Sequence, residues 1–147
     1  MSVNETVLVD TGFWIAIFDP RAVGHDKAND IADLIDSMRL VIPWPIAYET
    51  LRTRFVRRPE WVASLNERLK RASVTFIDDS IYREEAYELT VEYSTRMKRD
   101  ISMVDMLCRL LIEDVEVRID CLFTLNPKDF YDVCTTNGVE ILPSTRV

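Results

Sequence analysis

A chain of 147 residues with 48% hydrophobic side chains has the size and apolar content of one compact domain, and its 3 Gly and 6 Pro, without repeats or low-complexity tracts, give no sign of a linker. No apolar run approaches the roughly 20 residues of a membrane-spanning helix, and the start of the chain lacks the pattern of a secretory leader, so a soluble cytoplasmic protein away from membranes is expected, fraying only at its ends. The net charge of −7, the single His and the three scattered Cys exclude a uniformly basic nucleic-acid binder, a His-rich zinc site and a disulfide framework, leaving acid chemistry to carboxylates.

In chain order, Val7 to Asp10 reads as a short buried strand, followed by the apolar stretch Phe13 to Phe18, which a helix would bury beside it, and by the breaker Asp19-Pro20. From His25 to Met38, Ala28, Ile31, Ala32, Leu34 and Ile35 recur at helical spacing ahead of the strand-like Leu40-Val41-Ile42, which makes a βαβ pattern. Pro45 to Val56 reads as one helix with Ile46, Tyr48, Leu51 and Phe55 on a face, and Pro59 opens a second carrying Trp61, Val62, Leu65 and Leu69. Val74 to Ile77 alternates as a third strand, with Asp78, Asp79 and Ser80 as caps for a long helix toward Lys98. Ser102-Met-Val-Asp105 resembles a capping box, with Asp in place of Glu or Gln, ahead of Met106, Leu107, Leu110 and Leu111. Ile119 to Leu125 gives a fourth strand, Asp129 to Thr135 a short helix, Asn137-Gly138 a turn and Val139 to Leu142 a last strand. The alternation predicts a three-layer α/β/α sandwich with a mostly parallel sheet of about five strands, in a single domain.

Ligands of such sheets bind outside the carboxyl ends of the strands. Asp10 ends the first strand, Glu49 lies early in the helix after the second, Asp105 starts the helix leading to the fourth, and Asn126 and Asp129 follow the fourth directly. Carboxylates delivered to one rim repel each other and raise one another's pKa unless a cation neutralises them. An all-oxygen donor set suits Mg²⁺ or Mn²⁺, and one ion, or two about 3.5–4 Å apart, can support phosphodiester cleavage. Each acid also has a structural explanation: Asp105 as a capping residue, Asp129 at a helix N-terminus, Glu49 paired with Arg52 or Thr53. Asp10, closing an apolar strand, is the hardest to explain that way.

Val7-Leu-Val-Asp10-Thr11, Pro45-Ile-Ala-Tyr-Glu49-Thr-Leu, Ser102-Met-Val-Asp105 and Phe123-Thr-Leu-Asn126-Pro-Lys-Asp129-Phe130 together resemble the ordered motifs of PIN-domain nucleases, including VapC-type toxins. The resemblance spans nearly the whole chain. It implies metal-dependent RNA cleavage with Asp10, Glu49 and Asp105 as ligands, an RNA substrate, a small antitoxin partner and a homodimer. After the fourth strand the family often has an acid where Asn126 stands, so the fourth carboxylate is assigned to Asp129. Asn126, Thr11 and Thr124 are then supporting residues.

Between Arg52 and Arg71 seven basic residues face two acids, so this segment carries +5 and the remainder −12. Arg52, Arg57, Arg58, Arg68 and Arg71 are therefore RNA-binding candidates, against the alternative of a solvated helical face. His25 is expected to cap or pack rather than to shuttle protons, the cysteines to be buried and reduced, and Trp61 to be the exposed tryptophan. Two further functions compete with the nuclease: a catalytically silent binding module of the same shape, and a haloacid-dehalogenase-type phosphatase, which calls for a second Asp where Gly12 stands.

Overall fold

The computed structural model describes residues 5–144, and the expected fraying of the ends falls outside them. Five strands, β1 (Thr6–Val9), β2 (Arg39–Pro43), β3 (Ser73–Ile77), β4 (Cys121–Phe123) and β5 (Glu140–Leu142), form one sheet in the order β3-β2-β1-β4-β5. Every neighbouring pair is parallel. Of the three inner strands, β1 and β4 are buried on both faces, Val7, Leu8, Leu122 and Phe123 having no exposed surface.

Strand order explains the layers. From β1 the chain steps to β2 and β3 on one side, then crosses to β4 and β5 on the other, and right-handed crossovers place the two sets of connecting helices on opposite faces. One layer holds α1 (Thr11–Phe18), α2 (His25–Ile31), α3 (Trp44–Thr50), α4 (Thr53–Val56) and α5 (Pro59–Arg71). The other holds α6 (Arg83–Thr95), α7 (Met103–Glu113) and α8 (Tyr131–Asn137). The three-layer α/β/α sandwich expected from the alternation is therefore the fold. The reversal of strand order lies between β1 and β4, the place where open parallel sheets leave a crevice for ligands.

Three elements differ from the sequence reading. The helix expected from His25 to Met38 tightens after Ile31 into a 3₁₀ segment, Ala32–Ser37, whose i, i+3 spacing stacks Ala32 and Ile35 on one buried side. The helix expected from Pro45 to Val56 is interrupted where Arg52 becomes extended. The break turns Phe55 inward, edge-on to Phe18 at 5.6 Å and against Trp61 at 5.5 Å. The long helix toward Lys98 starts only at Arg83, with Asp78 closing a turn onto the Ser80 N–H and Asp79 paired with Arg83 instead of capping.

Exposure of the tryptophans is also corrected. Trp61 is half-buried by its Phe55 contact, whereas Trp44 is 42% exposed and stacks on Phe76 at 4.4 Å, on edge strand β3. All three cysteines are buried and unpaired. His25 packs as expected, its Nδ1 2.6 Å from the Ala16 carbonyl oxygen.

Candidate metal centre at the sheet switch point

β1 ends in Asp10, which is also the N-cap of α1: one carboxylate oxygen accepts the Thr11 N–H at 2.8 Å, and the Asp10 N–H is held by the Phe123 carbonyl of β4 at 2.9 Å. The other oxygen accepts the Thr124 hydroxyl at 2.9 Å. An 8% exposed carboxylate is thus pinned between the two strands flanking the switch point. Burial raises its pKa most, the Thr124 and Thr11 hydrogen bonds counter this, and the Glu49 charge raises it further.

Glu49 comes from α3 across the α1–α3 contact, where its Oε1 accepts the Thr11 hydroxyl at 2.8 Å. Pairing with Arg52 or Thr53, the structural alternative for this acid, is not what holds it. Asp105 reaches the rim from the first turn of α7, whose N-cap Ser102 accepts the Asp105 N–H at 3.1 Å. Its carboxyl lies close enough to Asp10 for the two to influence each other's protonation. Burial, followed by the charges of Asp10, Asp129 and Glu49, pushes the Asp105 pKa up to about 7. Four segments far apart in sequence therefore bring carboxylates to the same sheet edge, near enough for their charges to act on Asp105.

Asp129 ends a 3₁₀ turn, Pro127–Asp129, and its Oδ2 accepts the Asn126 amide at 2.7 Å. Thr124 supports the same loop: its Oγ accepts the Asn126 N–H at 3.0 Å while donating to Asp10. Thr11, Thr124 and Asn126 thus each orient one acid of the cluster. Sequence reasoning missed Arg109, 5% exposed on α7 one turn beyond Asp105. It donates to the Asp129 carbonyl at 2.8 Å and grips both oxygens of Asp132 at 2.8 Å, fixing the Asp129 loop against α7. A lone Arg inside the otherwise apolar run Met106–Ile112 was the available signal.

The donor set is entirely oxygen, matching a hard divalent cation, and a bound cation would offset the burial and the neighbouring negative charge that raise Asp10 and Asp105. Yet among the described residues no group of three or more His, Cys, Asp or Glu side chains stands close enough to form a finished cage. The physical reason is visible in the hydrogen bonds: Asp10 is turned to Thr11 and Thr124, Glu49 to Thr11, and Asp129 to Asn126. The residues suit such an ion in kind, and coordination would need them to draw together, exchanging some of these hydrogen bonds for metal contacts.

The sequence matches no family model and no curated protein. The functional reading therefore stands on the site itself.

The basic segment divides. Arg68 is a structural residue: with its side chain 12% exposed, it donates to the Ala32 carbonyl at 3.0 Å and to Asp36 at 3.2 Å, so its place among the RNA-binding candidates is corrected. Arg71 pairs with the same Asp36 at 3.6 Å. Arg58 lies over the Trp61 ring at 5.4 Å, and Arg52 and Arg57 are exposed. No helix among the described residues is long and apolar enough to cross a membrane.

Proposed function

We propose that this chain is a divalent-metal-dependent endoribonuclease of the PIN type, acting as the toxin of a toxin–antitoxin pair. The observation that supports the reading is buried Asp10 pinned at the sheet switch point by Thr124 and Thr11, with Glu49 held next to it through the Thr11 hydroxyl. In this reading Asp10, Glu49, Asp105 and Asp129 hold Mg²⁺ or Mn²⁺. When bound, the metal supplies water activation and charge neutralisation at the scissile phosphate. The chain's own part is to present the acids: Thr124 and the Thr11 N–H fix Asp10, the Thr11 hydroxyl fixes Glu49, and Asn126 with Arg109 fixes Asp129. The partners that accompany the reading are an RNA substrate, a small antitoxin protein and a second copy of the chain, and the cytoplasm is the compartment where they would meet.

The test is cleavage of total RNA by the purified chain with and without Mg²⁺ or Mn²⁺. Metal-dependent cuts that disappear in Asp10→Asn are expected. Cleavage at wild-type rate by that variant, or none by the wild type with either ion, would favour a silent binding module instead.

A further inference from the structure

Past the C-terminal ends of α1 and α3, the ends away from Asp10, exposed arginines gather. An open-sided depression of about 260 Å³ is lined by Arg21, Arg52 and Arg54, with Asp19, Ile15 and Trp61 among its walls. Its position follows from the two helices that hold Thr11 and Glu49 together at 2.8 Å. Ile15 is four residues beyond Thr11 on the same face of α1, an advance of about 6 Å. Arg52 is three residues beyond Glu49, just past the end of α3. Its near wall, Ile15 and Arg52, thus lies about one helical turn from the Thr11–Glu49 pair, while Asp19 closes the far end of α1, nine residues or about 13 Å along the helix from Asp10.

Asp19, 4% exposed, organises the basic lining. It accepts the Arg21 N–H at 2.9 Å and stands 3.6 Å from the Arg21 guanidinium and 3.8 Å from that of Arg54, whose side chains are each 65% exposed. Ion pairs that long occupy few of the five donors on each guanidinium. Three cations against one anion leave about +2 here, in a protein whose net charge is −7. Trp61 adds an aromatic wall of the kind on which any base can stack.

We propose that this depression binds single-stranded RNA next to the bond presented to the carboxylates, with Arg21, Arg52 and Arg54 holding a flanking phosphate and Trp61 meeting its base. The proposal rests on the nuclease reading for its choice of polyanion. The physical need is specific: a phosphodiester approaching four carboxylates is repelled, and an arginine cluster one to two helical turns away along α1 and α3 offsets that repulsion for the same strand. It also moves the RNA contact away from Arg68 and Arg71, which are engaged with Asp36, to arginines nearer Glu49.

The probe is a fluorescent octauridylate, its binding to the full chain followed by anisotropy over a range of salt, with Ca²⁺ in place of Mg²⁺ to suppress cleavage. The triple variant Arg21→Gln, Arg52→Gln, Arg54→Gln should bind more weakly and flatten the slope of log affinity against log salt by roughly 0.7, the contribution of the one phosphate no longer neutralised. The corresponding triple Lys variant should regain most of the slope, which a folding defect would not allow. An unchanged slope in the Gln variant, or no binding of the probe by the wild type, overturns the proposal. So does a hepta-glutamate peptide bound more tightly than RNA and released by the Gln variant, which would assign the depression to an acidic protein. Arginine-dependent RNA binding without metal-dependent cleavage would uphold the depression while sinking the nuclease. Cleavage with an unchanged slope would do the reverse.

Discussion

Asp10 and Asp105 are costly residues to keep. Buried among like charges, each has its pKa raised, Asp105 to about 7, so in metal-free protein they oppose the fold at neutral pH. An acid whose folded pKa lies above its unfolded value contributes stability below the unfolded value, near pH 4, and loses it as pH rises through about 7 for Asp105. Asp105→Asn should therefore melt a few degrees higher than wild type at pH 8 in EDTA, the difference shrinking toward pH 5. Thermal melts at the two pH values check this, and an equal difference at both would show that repulsion is not what the substitution relieves. The same variant should lose metal-dependent cleavage. Asp10 was legible in the sequence because an acid ending an apolar strand has no ordinary structural reason. Asp132 was not: its partner Arg109 is 23 residues away, and only the folded packing of α7 on α8 brings them together.

At the level of elements, hydrophobic period identified the strands and most helices, while the places where helices break depended on distant partners. The segment Pro45 to Val56 has a continuous helical pattern, yet it bends at Arg52 because Phe55 gains more by packing on Phe18 and Trp61 than a straight helix allows. Likewise the change to 3₁₀ after Ile31 coincides with Arg68 of α5 reaching across to the Ala32 carbonyl. Arg68 resembled a surface charge in the sequence, but its removal would leave that carbonyl without its side-chain donor and Asp36 with only the longer Arg71 pair. Arg68→Ala should cost about 1–3 kcal/mol in urea unfolding, against less than about 0.5 kcal/mol for Arg57→Ala on the exposed surface. Similar losses from the two would return Arg68 to the solvated face. Ser102→Ala, removing the cap that positions Asp105, should cost about 1 kcal/mol and weaken metal binding along with stability.

For the molecule as a whole, the carboxylates connect parts that the topology keeps separate. Asp10 belongs to the centre of the sheet, Glu49 to one helical layer, Asp105 to the other, and Asp129 to the loop leaving β4. An ion held by them would bridge both layers across the switch point, and the unfolded chain, with these residues dispersed, offers no comparable site. Binding to the native state alone must raise global stability by linkage, about 2.7 kcal/mol at a hundredfold excess over the dissociation constant. For a chain of 147 residues this is a rise in thermal midpoint of roughly 5–10 °C. Mn²⁺ and Mg²⁺ should produce it at neutral pH, and its size should fall below pH 6 as protons compete for Asp105, whose pKa is raised to about 7. The double variant Asp10→Asn, Asp105→Asn should melt at the same temperature with or without metal, because the amides keep the packing and remove the charge. Melts across a metal titration for both proteins decide it: an equal rise in wild type and double variant would place the binding elsewhere on this acidic surface, and no rise in the wild type would leave the cluster without a metal.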